Sequence, residues 1–144
     1  EAIVMLHEEG LQNVFRRHDR HAEAARAAVR TWGLEIVCEE PLEYSSAMTA
    51  VFTPQGHNAD ALRKVILENF DMSLGAGLGK LAGKAFRIGH LGSFNDLMLA
   101  GFLSGVEMGL SLAGGPHREG GVQAALKCVA AAPAGAASQS AGVR

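Results

Sequence analysis

Chemistry in this chain starts with an arginine. Arg87 stands in Ala85-Phe86-Arg87-Ile88-Gly89, where apolar alternation sends Phe86 and Ile88 to one face of a strand and Arg87 to the other. A planar guanidinium binds a carboxylate through two parallel hydrogen bonds, fixing its orientation as well as its position, which an ammonium does not do. With Gly89 and Gly92 letting a ligand approach the backbone, a displayed Arg87 makes a carboxylate clamp. A structural ion pair fits the same spacing, and spacing alone leans toward that plainer role.

The other tempting groups fail on their own requirements. His18 and His21 lie three apart on a helix and could reach one metal, but His18 falls on the apolar stripe and no third ligand stands nearby. They read as a core-edge histidine beside a solvent-facing one, and no metal is expected. Arg16, Arg17 and Arg20 interleave with Asp19 and Glu23, the pattern of a solvated helix face. Gly77 to Ala82 spells G-x-G-x-x-A, yet a dinucleotide site needs those glycines to open a long helix, and here Gly83 and a strand follow at once. Gly83-Lys84 lacks the upstream glycine and the hydroxyl of a phosphate loop. No G-x-S-x-G occurs, Cys38 sits in an apolar strand, and Glu39 and Glu40 are strand-end acids. Lys64, Lys80, Lys84 and Lys127 fall on exposed turns or helix faces, whereas a Schiff-base lysine needs a site that tunes and aims it. The chain carries no catalytic set visible by itself.

The elements that must position Arg87 follow from periodicity. Leu11, Val14, Phe15, His18, Ala22, Ala25, Val29 and Trp32 recur at helical steps, predicting a leading helix over about 8–32 with Gly33 as its left-handed stop. Leu34 to Cys38 and Ala47 to Thr53 read as antiparallel strands, because the gap between them is too short for a crossover helix. Asn58 caps a second helix ending at Asp71, and Asp71-Met72-Ser73-Leu74-Gly75 is a candidate third strand. The glycine-rich run 75–83 reads as a purposeful loop before the arginine strand. Ser93 or Asn95 caps a third helix from Leu97 to Leu112, whose Gly101, Gly105 and Gly109 form a small face expected to lie on a sheet. A last helix runs from about Glu119 to Ala131. The expectation is an α/β (α+β type) domain, a small, mostly antiparallel sheet with helices packed on one face, over 1–132, followed by a disordered Ala/Gly/Ser tail over 133–144.

Composition bounds the partners. The 144 residues suit one domain, and 13 Lys+Arg against 15 Asp+Glu give a formal charge of −2, with no field to hold a nucleic acid. Charged residues make up only 19%, so part of the surface is expected to be apolar and covered by other protein mass. The apolar stretch Leu97 to Leu112 is interrupted by Glu107 and too short to span a bilayer, so no membrane partner is expected. Cys38 and Cys128 stand far apart without a C-x-x-C, as suits a reducing cytoplasm. The start at Glu1, inside apparently helical sequence and without a signal peptide, suggests that residues precede it.

Several separated blocks then agree with one family. Glu8 to His18 (EEGLQNVFRRH), Ala28 to Val37 (AVRTWGLEIV), Thr49 to Gly56 (TAVFTPQG), Leu74 to His90 (LGAGLGKLAGKAFRIGH) and Gly120 to Leu126 (GGVQAAL) stand in the order of the C-terminal part of class V aminotransferases. The chain resembles the serine-glyoxylate and alanine-glyoxylate members, and the likeness covers most of residues 1 to 127. The resemblance implies the small C-terminal domain of a fold-type I enzyme that uses pyridoxal 5'-phosphate, works as a homodimer and moves an amino group from serine or alanine to glyoxylate. Arg87 matches the arginine of the FRIG block that in the family grips the substrate carboxylate, which turns the balance toward the clamp. The family's large domain would carry the Schiff-base lysine and most of the cofactor grip, so none of this chain's lysines takes that role and the isolated chain is expected to be inactive. Ser93 stands where close relatives are expected to have an acid. His90 and the glycine loop are expected to shape the substrate mouth. The competing reading is a free-standing module that binds an amino or keto acid, or a partner protein, for regulation.

Overall fold

The computed structural model describes residues 1–131; residue 132 and the tail expected at 133–144 lie outside them. The chain opens with two helices, α1 (Ala2–Glu9) and α2 (Leu11–Trp32). The expected single helix over 8–32 is broken because Gly10 takes φ +82°, a conformation open to glycine, and its carbonyl restarts the ladder by accepting from the amides of Asn13 and Val14. Glu8 and Glu9 therefore end α1 and do not begin α2. At the far end Gly33 has φ +77°, its amide donates to Arg30 and that of Leu34 to Val29, so α2 stops in a Schellman turn as its sequence predicts.

Three strands form one antiparallel sheet: β1 (Met48–Phe52), β2 (Gly75–Ala76) and β3 (Ala85–Gly89), in the order β1-β3-β2. Leu34 to Cys38 does not become a full strand. Ile36 bridges Val51, but Glu39-Glu40-Pro41 then turns the chain into a 3-10 turn in which the Glu40 carboxylate accepts from the Leu42 amide. The strand expected at Asp71 to Gly75 is likewise shorter, because Leu74 is drawn into the core and its carbonyl is taken by Arg63 Nε at 2.8 Å. Sheet pairing begins only at Gly75.

Helices α3 (Ala59–Phe70), α4 (Asp96–Leu112) and α5 (Gly121–Ala131) complete the domain with α2. Asn58 Oδ1 accepts from the amides of Asp60 and Ala61, and Asn95 Oδ1 from Met98, so both polar caps satisfy amides that a first helical turn leaves free. Thr49 and Val51 of β1 lie opposite Ile88 and Phe86 of β3, and this face joins Val29, Ile66, Leu99 and Leu103 in the helix-covered core. The expected α/β domain, with a small antiparallel sheet and helices on one face, is what forms.

The glycine face of α4 meets a helix and not the sheet. A Cβ at Gly109 would stand 2.2 Å from Ile66 Cγ1 of α3, and one at Gly105 would stand 2.8 Å from Met72 Sδ, whereas Gly101 faces open space. Gly121 is equally tight against Trp32, whose indole donates at 2.8 Å to Glu107. That carboxylate also accepts from the amides of Gly120 and Val122, fastening α5 to α4 and α2, and these donors hold its pKa below the usual carboxylate range against the opposing effect of burial.

No described helix is long and apolar enough to cross a membrane. Ile3 and Val4 of α1, Leu11 and Phe15 of α2, and Leu97 of α4 are exposed, so apolar surface of the kind the low charge fraction suggests is present. For Leu11 and Phe15 this departs from the helical stripe, whose buried part runs from Val14 and His18 to Trp32.

Candidate functional site

Arg87 is the central residue of β3, paired with Ala50 of β1 on one side and Gly75 of β2 on the other. It projects from the face opposite Phe86 and Ile88, as alternation predicts, and is half-buried where those two are fully covered. Its flanking cross-strand partners are small, so the side chain lies between them without competing bulk. Nε donates to the Ala76 carbonyl at 2.8 Å. Among the described residues, neither terminal guanidinium nitrogen has an acceptor, and no carboxylate lies within salt-bridge distance.

The other described arginines behave differently. Arg17 forks onto Glu9 at 2.7 Å and gives a further nitrogen to the carbonyls of Gly92 and Phe94. Arg20 pairs with Asp96, Arg26 and Arg30 with Glu23, and Arg63 with Asp60. Arg118 bonds the carbonyls of Thr31 and Arg30 at the end of α2. Arg16 leans on Asn13. The structural ion pair that the spacing of Arg87 allowed is thus absent among the described residues, and its terminal nitrogens keep donors enough for two parallel hydrogen bonds. Arg17 and Arg20, read from sequence as a solvated face, instead tie α2 to the turn before α4.

The glycine loop holds this arrangement from behind. Gly77 is buried, its amide donates to Ala85, and a Cβ there would stand 2.1 Å from the Leu81 carbonyl oxygen, so the backbone closes on itself only through glycine. Lys84 and Leu81 close the loop with an amide-carbonyl bond at 3.0 Å. The Ala76 carbonyl reaches Arg87 as a result. Beyond β2 the run is a loop, as its glycine content predicts.

His90 does not shape the same mouth. It belongs to the closed face with Phe86 and Ile88, is fully buried, donates from Nδ1 to the Ser46 carbonyl at 3.1 Å and accepts at Nε2 from Thr49 Oγ1 at 3.1 Å. Burial pushes its pKa down to about 4. His18 and His21 are both buried, so the solvent-facing place expected for His21 is overturned. Its Nε2 meets Asp96 at 2.8 Å while Nδ1 is enclosed without a partner, and desolvation lowers its pKa despite the carboxylate. His18 donates from Nδ1 to the Val14 carbonyl and accepts at Nε2 from the Gly92 amide. Both rings are bonded within the protein, and no group of three or more metal-ligating side chains occurs among the described residues.

The residues present do not form a seat for a cofactor that needs a covalent lysine. Lys64, Lys80, Lys84 and Lys127 are exposed and stand on separate elements. A cleft of about 1180 Å³ lies elsewhere, between α1, the first turns of α2 and the 91–93 turn, and Arg87 is not in its wall. Arg87 stands outside that cleft, half-buried on the sheet face opposite Phe86 and Ile88. Ser93, where an acid was expected, lines the cleft, of which neither Arg87 nor Ala76 is a part.

No family model matches the chain. Known proteins do. The chain is 44% identical over 109 residues to the serine-glyoxylate aminotransferase of Hyphomicrobium methylovorum, a match covering 76% of this chain and 27% of that enzyme. It is 46% identical over 118 residues to the L-aspartate-glyoxylate aminotransferase of Paracoccus denitrificans, covering 81% of this chain and 30% of the relative. Its fold is similar to the crystal structure of pyridoxamine-pyruvate aminotransferase from Mesorhizobium loti, with a TM-score of 0.84, 30% identity, and 90% of this chain but 33% of that one covered. The chain spans less than a third of the length of these curated relatives, and the part it matches is their C-terminal part.

Proposed function

This chain belongs to the class V aminotransferases, and from that premise we propose that it is the C-terminal part of an enzyme that moves an amino group from serine or alanine to glyoxylate and that it supplies the substrate-carboxylate ligand, Arg87. The observation that carries this reading is the guanidinium fixed through Nε to Ala76, its two terminal nitrogens without an acceptor among the described residues. The names of the relatives support the same chemistry. Their donors differ, being serine, L-aspartate and pyridoxamine, while the acceptor is always glyoxylate or pyruvate. What the acceptors share is a carboxylate next to the reacting carbonyl, and a two-toothed arginine recognises that group whatever the donor carries.

Pyridoxal 5'-phosphate, when bound to such an enzyme, supplies the electron sink through which the amino group is carried. We assign its seat to the part of the relatives that this chain does not span, since no described lysine here is placed to hold it. Within this chain the work is orientation. Arg87 holds the acid end of donor and acceptor in turn, which sets the reacting carbon at one distance from the sheet, and the small neighbours Ala50 and Gly75 keep that approach clear. A homodimer in a reducing cytoplasm completes the proposal, consistent with two free thiols, Cys38 and Cys128.

The test is a chimera in which residues 1–131 replace the matching portion of the Hyphomicrobium enzyme. It is expected to transaminate serine and glyoxylate. Arg87→Gln is expected to lower kcat/KM by about 100-fold, the worth of roughly 3 kcal/mol of charge-assisted hydrogen bonding, and Arg87→Lys by about tenfold because a point charge keeps attraction and loses orientation. Unchanged kinetics in Arg87→Gln would overturn the assignment. The isolated 144-residue chain with added pyridoxal 5'-phosphate is expected to show no turnover.

A further inference from the structure

Gly75 sits across from Arg87 with no room to spare. A Cβ built there would stand 3.0 Å from Arg87 Cβ, 3.1 Å from Nε and 3.5 Å from Cζ. Contact with the stem, the bonded nitrogen and the guanidinium carbon at once means that the whole side chain lies along β2, over the place a larger residue would occupy. The backbone does not demand glycine here, since Gly75 is absent from the residues with positive φ. What demands it is the arginine. The adjacent residue, Ala76, then accepts from Nε at 2.8 Å, so one dipeptide provides both the empty space and the acceptor.

We propose that Gly75 and the Ala76 carbonyl are the positioning device of the carboxylate site: Gly75 leaves the space in which the Arg87 side chain lies along β2, and the Ala76 carbonyl holds its Nε there, so that its terminal nitrogens keep one direction before substrate arrives. The inference rests on the reading of Arg87 as carboxylate ligand, and extends it to residues that touch no substrate. Pre-orientation matters because an unclamped arginine would lose side-chain freedom on each binding event, weakening recognition of every acid alike. Gly77, closed between the Leu81 and Ala85 carbonyls, keeps the Ala76 carbonyl aimed. A residue at 75 larger than glycine must displace Arg87, β2 or both.

The test uses the whole chain labelled with 15N-arginine, and reads solvent exchange of the Arg87 Nε proton, identified by its loss in Arg87→Lys. In the wild type this proton is expected to exchange at least tenfold more slowly than that of exposed Arg16. Exchange as fast as that of Arg16 would overturn the inference whether or not any variant folds. Gly75→Ala is expected to remove most of the protection while the backbone spectrum stays folded, and Gly75→Val to remove it fully; Gly101→Ala, whose added methyl meets open space, is expected to change nothing. In the chimera, Gly75→Ala is expected to raise KM for glyoxylate about tenfold with kcat within about threefold. Retained Nε protection in a folded Gly75→Ala overturns the positioning role. If Gly75→Ala behaves as expected by exchange while Arg87→Gln leaves the chimera's KM unchanged, the clamp on Arg87 stands and the carboxylate reading falls.

Discussion

The two faces of β3 answer to different physics although they alternate along five residues, Ala85 to Gly89. On the closed face, Phe86 and Ile88 are fully buried, and His90 just beyond the strand continues it with both ring nitrogens bonded inside the protein. On the open face, Arg87 is half-buried, bonded once to a carbonyl, and offers its remaining donors outward. A closed face satisfies itself and contributes stability; an open face left incomplete is where a ligand is admitted. One strand, through its two-residue period, thus anchors the core on one face and displays the candidate ligand on the other. Arg17 makes the contrast sharper. The same side chain, saturated by Glu9, Gly92 and Phe94, is a structural fastener.

Truncating the closed face should give the largest effect. Phe86→Ala is expected to destabilise the chain by about 3–5 kcal/mol, read as a shift in urea midpoint at unchanged slope. A loss below about 1 kcal/mol would mean that this face is not the core. Acid attacks the same face more gently. His90 is neutral in the fold, with its pKa pushed down from 6.5 to about 4, whereas the unfolded chain protonates near the ordinary value. More protons are bound by the unfolded state between those limits, so stability is complete above about pH 6.5 and is lost as pH falls toward 4, by roughly 2–3 kcal/mol. Burial shifts His21 in the same direction, so it adds to this slope with the same sign. A urea midpoint flat from pH 7 to pH 4.5 would contradict the buried neutral ring. On the open face the effect on stability should nearly vanish: Arg87→Gln is expected to stay within about 0.5 kcal/mol of the wild type. If that substitution instead destabilised the chain as strongly as Phe86→Ala, the distinction between the faces would fail.

What could be read from the sequence was local. Asn58 and Asn95 announce α3 and α4 because a cap bonds amides two or three residues away, and Gly33 announces the end of α2 for the same reason. The face that Arg87 occupies follows from strand alternation alone. What was hidden depends on partners distant in the chain. His21 is buried by Asp96, 75 residues on, and Arg17 finds the Gly92 carbonyl at the same separation, so neither is visible in helical periodicity. The glycine face of α4 needed Ile66 to explain it, and the break at Gly10 hides in a stretch of continuous helical pattern. The candidate site was half legible: the arginine through its alternation and the family resemblance, but not the dipeptide proposed to aim it, because a backbone carbonyl has no signature in residue types.

Whether Arg87 presents a prepared edge to a carboxylate is decided by titrating the 15N-arginine-labelled chain with glyoxylate and with acetate, using acetamide as the uncharged comparison. A lone two-bond contact on an open face corresponds to dissociation constants on the order of 10–100 mM. The Arg87 side-chain signals are expected to move saturably with both acids and to stay still with acetamide, while the signals of the other arginines remain in place. Equal movement of Arg16, Arg17 and Arg118, or none at Arg87, would contradict it.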